Sequence, residues 1–203
     1  MMAKGTGYTL RGVERGFVTG PKAWLVSTLE APTLLRDVQL PENARVLEIG
    51  AGRGTGTLAL LNHFPTAHAV VTDFDPTMLE QARAFLARAG AESRVESFRP
   101  ADAKALPFAD ASFDATYAFE AFHHVEGYAA VLGELARVTR AGRLLLAADV
   151  LRPDWAPRWT RINPPDGIFS ARELSDLMRA SGFVIERWRG IPNLWAAIVA
   201  RRA

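Results

Sequence analysis

Val46-Leu47-Glu48-Ile49-Gly50-Ala51-Gly52-Arg53-Gly54-Thr55-Gly56 is the stretch that decides the fold of this chain. It passes from an apolar strand pattern into four glycines at alternate positions, and residues 57–61 then have the character of a helix start. Glycine lacks a Cβ atom and tolerates positive φ, so a strand–loop–helix junction of this kind lets the backbone approach a ligand closely. The stretch therefore predicts a ligand-binding loop.

The spacing of these glycines distinguishes between two kinds of ligand. A dinucleotide fingerprint, G-x-G-x-x-G, requires glycine at position 55 or 57, and the chain has Thr55 and Thr57 there. The pattern present is instead Glu-x-Gly-x-Gly-x-Gly, from Glu48 to Gly54. A nicotinamide-dependent oxidoreductase would have a similar fold, but the glycine spacing of this chain does not match the loop of such an enzyme.

Downstream of the loop, strand and helix patterns alternate, which indicates a parallel sheet with helices on both faces. The last two predicted strands, 183–189 and 194–200, are joined by a turn too short for a crossover helix, so we expect an antiparallel hairpin. The predicted fold class is α/β: a Rossmann-like, doubly wound, mostly parallel seven-stranded sheet with a C-terminal antiparallel hairpin. Residues 1–40 are expected to form a helical or lid segment, with Pro32 breaking its helical pattern, and 41–203 a single domain.

Composition excludes several classes of protein. The chain has 203 residues, is 49% hydrophobic and has a net charge of +2 with scattered basic residues, so nucleic acid is an unlikely partner. Without cysteine, disulfides, thiol nucleophiles and thiolate metal sites are excluded, and with four histidines no metal site is expected. No signal-peptide pattern or membrane-spanning run is evident, and we expect a cytoplasmic protein.

Two aspartates follow the second predicted strand. Asp75 precedes Pro76, which suits the first helical position, and this predicts a helix N-cap. Asp73 remains at the strand end, about twenty residues beyond the glycine loop, where an acidic residue binds ribose hydroxyls in open α/β sheets. Phe74 and Met78 are candidates to pack on an adenine ring, or equally to lie in the core.

The Glu48–Gly54 loop resembles the first motif of class I S-adenosylmethionine-dependent methyltransferases. Three further stretches are similar to the small-molecule group that includes the ubiquinone and menaquinone C-methyltransferases: 102–108, 112–114 and 134–142, with His123-His124 following the fourth strand. That group usually ends the last stretch in Lys-Pro-Gly-Gly, whereas this chain has Ala141 and Arg143 in place of the proline and the second glycine. The resemblance covers residues 45 to 150, and 41–203 is expected to be the methyltransferase domain.

The resemblance also implies a cofactor, S-adenosyl-L-methionine, and the residues that hold it. The loop would wrap the methionine part, Asp73 would bind ribose, and Asp102 with Ala103 would bind adenine. The full set of predicted cofactor residues is Glu48, Gly50, Ala51, Gly52, Gly54, Asp73, Phe74, Met78, Asp102, Ala103 and Phe119.

Methyl transfer from an activated sulfonium often needs no dedicated base, because alignment of the acceptor supplies much of the acceleration. A hydroxyl or carbon acid acceptor benefits from a base. His123, His124 and Glu120 follow the fourth strand, near the expected position of the methyl group, and are the candidate catalytic residues. Each histidine is otherwise a packing or hinge residue.

The acceptor is predicted to be a small organic molecule. Residues 151–169 leave the carboxyl end of the fifth strand, where ligands bind in such sheets. Trp155 and Trp159 there, and Tyr8 in the N-terminal segment, are candidate substrate residues, or residues that seal the core. Methylation of RNA or of a protein side chain, and a non-catalytic S-adenosylmethionine-binding protein, remain alternatives. The acceptor atom and the oligomeric state are left open.

Overall fold

The computed structural model describes residues 29–155 and 168–203, and all structural statements below concern those residues. The strands are β1 (Arg45–Ile49), β2 (His68–Asp73), β3 (Val95–Pro100), β4 (Phe113–Phe119), β5 (Thr139–Val150), β6 (Phe183–Ile191) and β7 (Trp195–Arg202). The α-helices are α1 (Ala31–Leu35), α2 (Thr55–His63), α3 (Pro76–Arg88), α4 (Tyr128–Val138) and α5 (Ala171–Ala180). Short 3-10 turns occupy Glu92–Arg94 and Phe122–His124.

The seven strands form one sheet in the order β3-β2-β1-β4-β5-β7-β6. The first five are parallel to one another, and β7 runs antiparallel to both β5 and β6. The chain reverses its lateral direction between β1 and β4, the point at which open α/β sheets bind their ligands. This architecture confirms the predicted fold class, including the antiparallel hairpin.

The central strands are buried because the sheet is covered on both faces. Four of the five residues of β1 are buried, and most residues of β4 are, including the polar Thr116. This is why β1 and β4 read as nearly continuous apolar runs rather than as an alternating pattern. The carboxyl ends of β1 and β4 are thus carried by buried strands.

Helix α1 packs against the sheet through its buried Ala31, Leu34 and Leu35. Two arginines of β6 contact α1 and the residues just after it. Arg187 Nη2 donates to the Leu34 carbonyl at 2.6 Å, and Arg189 Nη2 donates to the Asp37 carboxylate at 3.0 Å. The expectation that Pro32 breaks a helical pattern stays a prediction, because residues 1–28 lie outside the described residues. Within α1, Pro32 lies in the first turn. There the missing N–H is not needed for an intrahelical bond.

The division into residues 1–40 and 41–203 stays a prediction, because 1–28 lie outside the described residues. Within the described part of the chain, no helix has the length and apolar character needed to cross a bilayer.

Candidate active site

The glycine loop lies at the carboxyl end of β1 in a conformation that requires glycine. Gly50, Gly52 and Gly54 all have positive φ, at 61°, 53° and 84°. A Cβ atom on Gly50 would lie 2.8 Å from the Cβ of Ala121, so the loop also passes tightly against the segment after β4. At Gly52 the corresponding position is open, with no atom within 4 Å. The loop backbone is therefore exposed to a ligand at its middle glycine.

Asp73 holds this loop in place. Its Oδ2 accepts a hydrogen bond from the Gly52 N–H at 2.8 Å, and its Oδ1 accepts from the Asp75 N–H at 2.9 Å. Ala51 N–H also donates to the Thr72 carbonyl at 3.0 Å, which ties the loop to β2. Burial raises the pKa of Asp73, and the backbone hydrogen bonds oppose that rise. A carboxylate oxygen can accept more than one hydrogen bond, so Asp73 retains capacity for ligand hydroxyls.

Glu48 contacts the start of the helix that follows the glycine loop. Its side chain is fully buried in β1, and its Oε2 accepts a hydrogen bond from the Thr57 hydroxyl in the first turn of α2. Burial, and to a lesser degree the charge of Asp73, raise the pKa of Glu48 from 4.5 to about 8. Burial thus favours the protonated form of Glu48, and its hydrogen bond with Thr57 fixes the start of α2.

The residues after β2 differ in their hydrogen bonding and in their exposure to solvent. Asp75 is the N-cap of α3, since its Oδ1 accepts from the Thr77 N–H at 2.9 Å. Phe74 is exposed beside the loop, whereas Met78 is buried. The N-cap prediction is confirmed, and the proposed adenine contacts of Phe74 and Met78 stay predictions.

A third acidic turn adjoins the loop region. Ala101 N–H donates to the Asp73 carbonyl at 3.0 Å, which places the turn of Asp102 and Ala103 directly beside the end of β2. Asp102 Oδ1 accepts from the Lys104 N–H at 2.9 Å, and both Asp102 and Ala103 are half-buried. On the other side of β1, Phe119 is buried at the end of β4. These residues all lie at the carboxyl edge of the sheet.

The two adjacent histidines lie in the 3-10 turn after β4. His123 is buried, and its Nδ1 lies 2.6 Å from Asp149 Oδ1 at the end of β5. The rings of His123 and His124 are in contact, with centroids 3.8 Å apart. Glu120 has positive φ, at 52°, and its N–H donates to the Ala148 carbonyl at 2.7 Å. The chain thus turns sharply at the end of β4 and brings His123 against β5.

Asp149 was missed by sequence reasoning. It lies 26 residues from His123, in no motif, and its buried carboxylate also accepts from the Phe122 N–H at 2.8 Å and the Val150 N–H at 2.7 Å. The available signal was a lone aspartate at the end of an apolar strand, the same signal that identified Asp73. Its position at the carboxyl end of β5 assigns it to the crevice.

The candidate substrate residues Tyr8, Trp155 and Trp159 all stay predictions. Tyr8 and Trp159 lie outside the described residues, and Trp155 is 82% exposed. Across residues 29–155 and 168–203, no group of three or more histidine, aspartate or glutamate side chains is arranged to hold a metal ion.

Known proteins similar in sequence include this region in one family. Residues 46–142 match the family described as the methyltransferase domain. Residues 46–142 have the sequence of a methyltransferase domain. This confirms the resemblance drawn from the Glu48–Gly54 motif, and the matched range contains the loop, Asp73, Asp102 and both central histidines.

Curated relatives of the domain are methyltransferases by name. The O-methyltransferase resE of Aspergillus sclerotiorum is 31% identical over 144 residues, 68% of this chain and 54% of that protein. The demethylmenaquinone methyltransferase of Thermus thermophilus is 38% identical over 109 residues, 54% of this chain and 48% of that protein. The chain thus spans about half the length of the curated relatives it matches.

Solved structures agree in fold. A SAM-dependent methyltransferase from Aquifex aeolicus superimposes with a TM-score of 0.76 at 19% identity, covering 96% of this chain and 100% of that one. Geranyl diphosphate C-methyltransferase from Streptomyces coelicolor, in complex with S-adenosyl-L-homocysteine, gives a TM-score of 0.77 at 14% identity, covering 97% and 86%. At these identities the likeness concerns the fold alone.

Proposed function

We propose that this protein binds S-adenosyl-L-methionine and transfers its methyl group to a small organic acceptor. The observation that carries the proposal is the glycine loop, which Asp73 fixes through the Gly52 N–H beside the Asp102 turn. The residues fit this cofactor: the open space at Gly52 suits the methionine part, and carboxylates suit ribose hydroxyls and an exocyclic amine. The cofactor supplies an electrophilic methyl group, and the protein supplies its position.

A small acceptor is supported by the names of the relatives, which include O-methyltransferases and demethylmenaquinone methyltransferases. The low net charge, +2, gives no support to a polyanionic partner such as RNA. In this proposal the glycine loop and Asp73 bind the cofactor, Asp102, Ala103 and Phe119 line its adenosine end, and the segment after β4 faces the acceptor.

The cofactor is tested by calorimetric titration of the full chain with S-adenosylhomocysteine, with NADH as the parallel control. Micromolar binding of S-adenosylhomocysteine alone is expected. Absence of binding, or binding of NADH instead, would overturn the proposal.

The acceptor class is tested by transfer of a labelled methyl group to a panel of simple phenols, enols, carboxylic acids, amines and thiols. Total RNA and a protein lysate are run beside the panel. Label is expected in a small-molecule product. Label only in RNA or in protein would replace the proposed acceptor class, and cofactor binding without label in any pool would indicate a non-catalytic binding protein.

A further inference from the structure

We infer that Arg189 and Trp195, on the face of the sheet that α1 covers, form a binding site for a carboxylate group, and that the methyl acceptor carries this carboxylate on an apolar body. The inference rests on the proposed function and deepens it, because it names the chemical class of the acceptor. The site lies on β6 and β7, apart from the candidate catalytic residues after β4.

Two buried N–H donors lie near each other without an acceptor. Trp195 Nε1 and Arg189 Nη1 are both buried, and neither atom has a hydrogen-bond partner in the part of the chain that the structure describes. In the β6–β7 pairing Trp195 lies opposite Ile191 and Arg189 lies opposite Ala197, so the two side chains are diagonal neighbours on one face. A buried donor left unsatisfied costs stability. Two such donors side by side therefore indicate a ligand that supplies acceptor oxygens.

The contacts of these side chains show which face they share. Arg189 Nη2 donates to Asp37 Oδ2, just after α1, at 3.0 Å. Trp195 packs against the buried cluster that contains Leu34 of α1. Trp188, the residue before Arg189, packs instead against the cluster on the opposite face, which contains residues of α5. The alternation of the strands thus places both free donors between the hairpin and α1.

The charges on this face favour an anion over a neutral oxygen. Arg187 lies two residues before Arg189 on the same face and donates to a backbone carbonyl of α1, which carries no charge. Asp37 pairs with Arg189 but its side chain is 66% exposed, and Glu186 is bound by Arg201. Burial, and then the charge of Arg189, lower the pKa of Arg187. Two guanidinium groups thus face one exposed carboxylate, and a carboxylate ligand would balance the second charge.

The surroundings of the donors predict the rest of the ligand. Ile191, opposite Trp195 on the same face, is 58% exposed, and Leu194 in the adjoining turn is 57% exposed. Guanidinium and indole N–H groups only donate, whereas a carboxylate only accepts, so the two sets are complementary. Apolar side chains beside a few polar groups are typical of a site for a small organic molecule. The arrangement therefore suits a carboxylate attached to an apolar chain or ring.

The site lies at the same edge of the sheet as the cofactor loop. Trp195 is paired with Val150, the last residue of β5, and therefore lies at the carboxyl edge of the parallel strands. Only β5 separates β7 from β4, which places Trp195 roughly 10 Å from the end of β4 at the usual strand spacing. An acceptor of about that length can bind its carboxylate here while its reacting atom faces the glycine loop.

NMR of the indole N–H groups of the full chain, saturated with S-adenosylhomocysteine, tests the site directly. The probe is phenylacetate, the controls are phenylacetamide and acetate, and Trp195→Phe assigns the Trp195 signal. We expect phenylacetate to move the Trp195 Nε1–H signal downfield, phenylacetamide to leave it in place, and acetate to bind more weakly than phenylacetate. No shift with phenylacetate, an equal shift with phenylacetamide, or equal affinity for acetate would overturn the inference.

The same samples separate this inference from the proposed function. Binding of S-adenosylhomocysteine is measured first, and its failure would refute the proposed function. A chain that binds S-adenosylhomocysteine but shows no response to phenylacetate would refute the carboxylate site alone.

Two conservative variants test the residues. Trp195→Phe keeps an aromatic ring but removes the N–H, and Arg189→Lys keeps the charge but removes the planar set of donors. Each should weaken phenylacetate binding by about tenfold or more, measured by calorimetry. Trp188→Phe makes the matched change on the opposite face of the hairpin and should leave the affinity unchanged. Unchanged affinity in both Trp195→Phe and Arg189→Lys would contradict the assignment.

Transfer of a labelled methyl group tests the acceptor class. The acceptor panel is run as carboxylates and their matched carboxamides. We expect label in the carboxylates, with KM about tenfold higher in Trp195→Phe and kcat nearly unchanged, because the site binds the acceptor and does not take part in the transfer. Equal labelling of carboxylates and carboxamides, or a loss confined to kcat, would contradict the inference.

Discussion

Gly56 lies directly against the carboxyl group of Glu48, so that a Cβ atom on Gly56 would be 2.6 Å from Glu48 Oε1. The same atom would lie 3.3 Å from Tyr117 Cε1 and 3.4 Å from Phe119 Cβ. Gly56, the last glycine of the stretch 46–56, thus allows α2 to start close to β1 and β4. Because Gly56 has no side chain, the start of α2 can pack against the buried carboxyl group of Glu48.

Gly56→Ala is therefore expected to lower the free energy of unfolding by about 1–3 kcal/mol, because overpacking exceeds the gain in helix propensity. The matched control is Gly133→Ala in α4, where an added Cβ meets nothing within 4 Å. That exposed helical position should gain about 0.5–1 kcal/mol. Urea titration of both variants measures the difference, and equal effects at the two positions would refute the packing argument.

Glu48 should make the stability of the wild type fall as pH rises. Its pKa is raised from 4.5 to about 8 by burial, so between these values the folded state retains a proton that the unfolded state has lost. Stability from this group is complete below pH 4.5 and is lost as pH approaches 8, by an amount on the order of a few kcal/mol.

Glu48→Gln removes that titration and should flatten the dependence of the unfolding free energy on pH across this range. Urea unfolding of both proteins at several pH values measures it. An unaltered slope in Glu48→Gln would show that other groups cause the dependence.

Asp73 and Asp75 should have separable roles. Asp73→Ala removes the acceptor of the Gly52 N–H, and affinity for S-adenosylhomocysteine should fall by about 1–3 kcal/mol. Asp75→Ala removes the cap of α3 and leaves the acceptor of the Gly52 N–H in place, so it should cost about 0.5–2 kcal/mol of stability and change the affinity little. Calorimetry and thermal unfolding of both variants give the comparison; equal loss of affinity in the two would remove the special role of Asp73.

Arg137 organises the loop that precedes β4. Its guanidinium forms two bonds to Glu134, at 2.7 and 2.8 Å, one to Asp110 at 2.8 Å, and bonds to the Phe108 and Leu106 carbonyls at 2.7 and 3.0 Å. These bonds raise the pKa of Arg137 and lower the pKa of Glu134. A lysine keeps the charge but cannot reproduce the planar set of donors.

Arg137→Lys is therefore expected to cost about 1–3 kcal/mol of unfolding free energy. Arg172→Lys, at an exposed position of α5, is the control and should change stability little. Chemical denaturation of the two variants decides; a near-neutral Arg137→Lys would mean that charge alone, and not geometry, matters at this site.

The fold was predictable because its signals are local. The strand–loop–helix junction at 46–56 and the N-cap at Asp75 each depend on a few neighbouring residues. The short turn between β6 and β7 likewise allowed only an antiparallel hairpin.

What escaped prediction depends on contacts distant in sequence. The pairing of His123 with Asp149 requires β4 and β5 to be neighbours, which no local pattern states. The contact between Glu48 and the start of α2 could likewise not be predicted, because it depends on how closely Gly56 packs against β1.

The strand order has a consequence for the synthesis of the protein. Strand β7 follows β6 in the chain but lies between β5 and β6 in the sheet. While the ribosome makes the chain, β6 has no strand to pair with, and the buried edge of β5 stays open until β7 emerges. We therefore expect the nascent chain to fold in two stages: the five parallel strands can associate early, and the apolar edge of β5 is the surface that chaperones must protect until the last pairing closes it.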